Sequence, residues 1–213
     1  MVMNPRAGQT KKRTRIQAKN EAKILEAALD IFATFGFRGT TIDQIAQKAE
    51  MSKPNLLYYF RRKEDIYISV LERTLDEWLT PLTELDPDGD PIEEIGKYTS
   101  LKLKMSQNDP TASRLFANEI LHGAPMIEHV LKGSLKDLVD EKAGVIHHWV
   151  KTGKLAKVDP YHLIFMIWAT TQHYADFKIQ MRAILGDAVD QPDYYEKAGQ
   201  TISTVFFEGI KPR

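Results

Sequence analysis

The chain has 213 residues, 43% hydrophobic and 27% charged, ordinary values for a globular protein able to bury a sizeable core. It contains no cysteine, which excludes disulfides, thiolate metal sites and cysteine nucleophiles, and no apolar run approaches the roughly 20 residues of a membrane span. Lys+Arg and Asp+Glu balance at 29 each, yet residues 1–63 hold thirteen Lys/Arg against five Asp/Glu, a net +8, and residues 64–213 carry the compensating −8.

Such asymmetry points to a polyanionic partner for one end of the chain only. The basic N-terminus has no hydrophobic region behind it, so no secretory leader is expected. With the cysteine-free composition, the expected location is the cytoplasm, with no membrane partner.

Hydrophobic periodicity is helical almost throughout, and no stretch alternates as a strand would. An all-α fold of about nine helices is expected, with an N-terminal three-helix unit over 1–63 and a larger helical bundle over 64–213. The first helix is marked by Ile24, Leu25, Ala28, Leu29, Phe32 and Phe35 and should end at Gly36, a residue suited to a helix C-terminus. Thr41 followed by Gln44 is a capping-box pattern that opens the second helix. Ser52 can cap a third helix, with Pro54 in the first turn, where its missing N–H is harmless. Glu64 and Asp65 place negative charge at the start of a long fourth helix.

Asp86 to Pro91 is the clearest break in the chain. Further helices are expected near 92–108, 111–122, 125–152 and 160–185, the last apolar on most faces and so read as buried. A loop over 186–193 leads to a final helix carrying Tyr195, Ala198, Ile202, Val205 and Phe206.

Three short helices with tight turns and a +8 charge are what a helix-turn-helix needs. One helix braces, one crosses the DNA backbone and one enters the major groove by its N-terminal residues. Ser52, Lys53 and Asn55 can donate to phosphates or base edges, and the hydroxyls of Tyr58 and Tyr59 can reach the backbone. Lys63 is placed for a phosphate, and the basic arm with Lys12, Arg13 and Arg15 can follow the backbone or enter the minor groove. Thr40 and Thr41 at the head of the second helix, and Pro54 in the third, complete the candidate DNA-binding set.

The residues at 28–32, 35–42, 52–60 and 63–64 together resemble the DNA-binding signature of the TetR family of transcriptional regulators. The resemblance implies a homodimer, each recognition helix reading half of a palindromic double-stranded operator, and a repressor released by a small ligand. Glu50 departs from the pattern by standing where the family usually has glycine. A left-handed conformation there costs about 1 kcal/mol.

The effector is expected in the C-terminal bundle. Its densest run of polar side chains within an apolar helix is Trp168 to Phe177, and such groups need partners if buried. Segments including 153–155, 159–160, 162–169 and 172–177 are similar to the uracil-responsive, pyrimidine-utilisation branch of the TetR family. That similarity implies control of pyrimidine catabolism or nitrogen genes by uracil or thymine, with no other cofactor. A primary amide such as Gln172 can answer one donor and one acceptor of such a ring together, and the indoles of Trp168 and Trp78 can stack on its face. Leu79, Phe116, Asn118, Thr171 and Tyr174 complete the candidate ligand-binding set; a different small planar or hydrophobic ligand is the alternative. Phe165, Ile202, Val205 and Phe206 are the candidate dimer seam, since two helices per subunit make a four-helix interface.

Enzyme chemistry is not expected, because there is no His-Glu-x-x-His pair, phosphate loop or serine elbow. His147 and His148 are adjacent, so on a helix they project about 100° apart and cannot share a metal.

Overall fold

The computed structural model describes residues 15–212, and Lys12 and Arg13 lie outside the described residues. Those residues form helices α1 (Arg15–Gly39), α2 (Ile42–Lys48), α3 (Lys53–Tyr59), α4 (Lys63–Thr83), α5 (Pro91–Asn108) and α6 (Pro110–Leu121). They continue with the single turn α7 (Glu128–Val130), α8 (Lys136–Lys151), α9 (Pro160–Asp176), α10 (Lys178–Leu185) and α11 (Tyr194–Ile210). No strand occurs among the described residues. The chain divides into two compact units, the first ending at Ile66 and the second beginning at Tyr67.

In the first unit, Ile24, Ala28 and Phe32 of α1 are buried with Ile45 and Ala46 of α2 and Leu56 of α3. Local chemistry sets the boundaries. Gly36 takes φ 68°, breaking α1 before its last turn, a conformation open to glycine because it lacks a Cβ. Thr41 and Gln44 form a reciprocal capping box at the head of α2, satisfying donors that a helix start leaves unpaired. The turn between α2 and α3 passes through Glu50 at φ 51°, the left-handed conformation expected there. Its carboxylate accepts from Lys23 at 2.7 Å, and this hydrogen bond holds it below its ordinary pKa.

The core of the second unit runs from Leu82, Leu85, Ile95 and Tyr98 through Ile146 and Trp149 to Ile164, Ile167, Ile202 and Phe206. Helix α5 packs against α9 and α11, and α6 packs against α9. Trp149 is fully buried, and its indole N–H donates to the Pro87 carbonyl at 3.0 Å, fixing the loop ahead of α5. Asp90, Asp109 and Asp159 cap α5, α6 and α9, each with a proline in the first turn.

Two stretches that read as single helices in the sequence are broken. Within 125–152, α7 and α8 are joined by a π-helical turn, Leu131–Leu135, where Gly133 leaves helical geometry. Within 160–185, the chain turns at Phe177 (φ −112°, ψ 24°) between α9 and α10. The segment expected as a loop contains a 3₁₀ turn, Gly186–Asp190. Helix α9 is also less enclosed than its apolar composition suggests: Leu163, Ile164 and Ile167 are buried, but Tyr161, Phe165 and Met166 are exposed.

Candidate functional site

In the first unit the recognition helix is α3. Ser52 caps it by accepting from the Asn55 N–H at 3.3 Å, so this serine hydroxyl is already engaged as an acceptor. Lys53, Pro54 and Asn55 are exposed, and Tyr58 is 71% exposed, leaving a contiguous surface of donors and one aromatic ring. An aromatic side chain so open to solvent gains little from packing within its own subunit. Lys53 is paired with Asp43 of α2 at 2.8 Å, an exposed ion pair weak enough for a phosphate to displace. Arg15 is exposed at the start of α1.

Three candidates have other partners. Thr40 is buried, and its hydroxyl donates to the Gly36 carbonyl at 2.8 Å, so it closes the end of α1 instead of facing DNA. The Lys63 ammonium donates to the carbonyls of Phe37 and Thr40, both at 2.7 Å, and lies 4.5 Å over the Phe37 ring. A cation there satisfies carbonyls left open by a helix end, which sequence spacing alone assigned to a phosphate. Tyr59 is half-buried, and its hydroxyl accepts from the Asn20 amide at 2.7 Å. Thr41 remains exposed but is occupied by its capping box.

In the second unit a cavity of about 640 Å³ opens between α4, α5, α6 and α9, within the usual size range of small-molecule sites. Trp78, Leu79, Phe116, Asn118, Trp168 and Gln172 all line it. Among the described residues neither the Asn118 nor the Gln172 side-chain amide has a hydrogen-bond partner. The Trp168 indole N–H donates to the Tyr98 hydroxyl at 2.6 Å. Its orientation is thereby fixed, and what it offers a ligand is its ring face.

Thr171 and Tyr174 are not among the lining residues. Thr171 is fully buried, and its hydroxyl donates back to the Ile167 carbonyl at 2.7 Å. Tyr174 belongs to an aromatic cluster with Tyr194 and Tyr195, and its carbonyl accepts from the Tyr195 hydroxyl.

The lining also includes charged residues that the sequence did not single out: Lys102, Arg114 and Asp176. Lys102 is only 3% exposed, with its ammonium 3.9 Å above the Trp78 ring. Burial pushes this ammonium down to about 7, against the opposing pull of the Asp176 charge. Burial also raises the Asp176 carboxyl, although the Ser113 hydroxyl donates to it at 2.5 Å and Arg114 lies nearby. Lys102 had a legible signal. It continues the buried stripe Ile95, Tyr98, Thr99, Lys102, Ser106, whose spacings of three and four mark one helix face.

The candidate seam separates into two classes. Ile202 and Phe206 are buried in the core of their own subunit, so neither is available to a partner chain. Val205 is 66% and Phe165 48% exposed. Among the described residues no helix is long and apolar enough to cross a membrane, and no three metal-binding side chains are grouped to hold an ion.

A helix-turn-helix with a capped recognition helix and an open donor surface meets a family signature over the same residues: 24–70 match the model of bacterial regulatory proteins, tetR family. The chain belongs to the tetR family. Residues 71–213 match the C-terminal region of the YcdC-like proteins. Among its relatives, this tetR-family chain is 49% identical over 204 residues to the HTH-type transcriptional regulator RutR of Escherichia coli K12, covering 96% of each. It is 29% identical over 133 residues to the HTH-type transcriptional repressor NicS of Pseudomonas putida, covering 62% of this chain and 61% of that protein.

Two solved structures share the fold. The ketosteroid regulator KstR2 of Mycobacterium tuberculosis has a TM-score of 0.69 at 18% identity, covering 95% of this chain and 98% of that one. A putative fatty acid metabolism regulator of Clostridium perfringens has a TM-score of 0.68 at 22% identity, covering 90% and 100%. Like its relatives, this tetR-family protein is a DNA-binding transcriptional regulator and not an enzyme.

Proposed function

We propose that this regulator is a cytoplasmic homodimeric repressor, released from a palindromic operator when uracil or a related pyrimidine such as thymine fills the cavity of the second unit. The observation that carries this reading is the composition of the cavity wall. Two indoles, Trp78 and Trp168, and two unpartnered amides, Gln172 and Asn118, line one cavity.

A pyrimidinedione presents a flat ring with alternating N–H donors and carbonyl acceptors along its edge. Indole faces favour the ring, and an amide answers a neighbouring donor and acceptor together. Ligand occupancy can change DNA affinity only to the extent that the effector binds the released conformation better than the DNA-bound one. The dimer is assigned to the exposed apolar positions of α9 and α11, Phe165 and Val205. The match to RutR, 49% identical over 204 residues and 96% of each chain, includes cavity-forming helices as well as the DNA-binding unit, which supports placing this chain in the pyrimidine-utilisation branch.

A volume of about 640 Å³ is generous for one six-membered ring. It favours, as a second reading, a substituted or larger planar ligand at the same wall.

The test is a thermal-shift and operator-release assay on the full chain with uracil, thymine, cytosine and dihydrouracil. A specific effector at 100 times its dissociation constant stabilises by about 2.7 kcal/mol. Gln172→Ala should bind operator as the parent does but no longer release it with uracil. Normal release by that variant removes Gln172 from the site, and no response to any of the four rings overturns the pyrimidine reading.

A further inference from the structure

Among the described residues Lys63, Lys102 and Lys142 have limited access to solvent, and two of them are bonded as such lysines ordinarily are. Lys63 donates to two helix-end carbonyls. Lys142 reaches the Leu85 carbonyl and the Glu141 carboxylate, the latter at 3.1 Å. Lys102 does neither. It is 3% exposed, it has no hydrogen-bond acceptor among the described residues, and its nearest compensation is the face of Trp78.

An ammonium with so little solvent access and no acceptor is expensive, and a cation–π contact recovers only part of the loss. Packing alone does not require the charge, because a methionine would fill the same channel between α4 and α5. What the ammonium does have is an opening onto the cavity, opposite the Asp176 carboxylate of α9.

We propose that the Lys102 ammonium is the specificity-determining donor of this site, reading a carbonyl oxygen of the effector while the Asp176 carboxylate takes an adjacent ring N–H. This rests on the pyrimidine reading above and deepens it. The pair selects rings whose edge carries an acceptor beside a donor, as a lactam or cyclic imide does. It disfavours apolar planar molecules of equal size, which would leave the Lys102 ammonium without an acceptor. Buried polar groups left unpaired are how a site rejects an isostere. Gln172 and Asn118 then remain for the other edge of the ring.

Titration calorimetry on the full-length protein separates the possibilities, using uracil, pyrimidin-2-one and pyrimidin-4-one, each of the latter lacking one of the two carbonyls. The parent protein should prefer uracil at least tenfold over whichever ring lacks the oxygen that Lys102 reads. Lys102→Met should weaken uracil by about 10–100-fold, the usual worth of a hydrogen bond to a charged group, and should erase that preference. Uracil binding by Lys102→Met with parental affinity, or with the parental preference intact, overturns the proposal while leaving the pyrimidine reading in place. Parent protein that binds none of the three rings overturns both.

A second measurement needs no variant. The charged groups lining the cavity around Lys102 are Asp176 from α9 and Arg114 from α6; α4 contributes only Thr74, Leu75, Trp78 and Leu79, none charged. A ligand oxygen on the ammonium favours its protonated form, so uracil binding at pH 8 should take up part of a proton. Calorimetry in two buffers of different ionisation enthalpy reads that uptake directly. Binding with no proton uptake overturns the role of the ammonium.

Discussion

Lys102→Met should make the effector-free protein more stable at neutral pH, and the margin should shrink as pH rises. The Lys102 ammonium is pushed from 10.5 in the open chain to about 7 in the folded one, chiefly by burial. Below pH 7 both states are protonated and the folded state bears the whole desolvation penalty. Between pH 7 and 10.5 the folded chain has released its proton while the unfolded chain still holds one. The unfolded state then binds more protons, so stability rises with pH, at a limit of about 1.4 kcal/mol per pH unit. With the folded group half-titrated at the start, the gain from pH 7 to 9 is about 2 kcal/mol. Methionine at this position does not titrate, and the other groups of the protein cancel in the comparison. Urea unfolding of parent and variant at pH 7, 8 and 9 should therefore show a gap that favours the variant and narrows by about 2 kcal/mol. A gap that does not change with pH refutes the burial argument, as does a variant less stable than the parent at pH 7.

Other expectations follow from contacts already described or from neighbours of the cavity wall. Glu119, on α6 between the cavity residues Asn118 and Ile120, is buried; it accepts from the Tyr67 hydroxyl at 3.1 Å and from the Met126 N–H at 2.9 Å. Glu119→Ala removes both bonds, so it should lose about 2 kcal/mol, read as a melting midpoint lower by about 4–8 °C; a loss below about 1 kcal/mol would contradict a structural role for these two bonds. Lys63→Ala should destabilise the first unit by about 1–3 kcal/mol, since it frees two helix-end carbonyls. If that variant instead keeps full stability and only lowers the salt slope of DNA binding, the capping role is wrong. Val205→Asp places a charge on the exposed apolar face of α11 and should shift the protein towards monomer in light scattering, whereas an unchanged mass would move the seam elsewhere.

How much of this was legible in advance depended on how local the governing chemistry is. Thr41 with Gln44, Ser52 with Pro54, and Gly36 each act within four residues of themselves, and all three stand where the sequence put them. Glu50 is similar: a turn that needs φ near 50° keeps it even without glycine. The break at Phe177 had no such marker, because no glycine or proline stands there. The carbonyl partners of Lys63 lie 23 and 26 residues away, beyond what local spacing can reveal.

Ile202 and Phe206 show a different failure. Their apolar spacing correctly marked a buried face of α11, but spacing does not say whether the burial is within one subunit or between two. Lys102 is hard to read because an isolated lysine between leucines looks like a solvated charge until its neighbours at three and four residues are counted.

The recognition helix has one further property. Of the seven residues of α3 only Leu56 is fully buried, while its caps are held by Ser52 and by a hydrogen bond from the Phe60 N–H to Leu56. Lys53, Pro54, Asn55 and Tyr58 therefore carry almost none of the weight of the fold. Substitutions at those four positions should change the exposed face of α3 without renegotiating the three-helix core. That face is interchangeable, and the core beneath it can be kept.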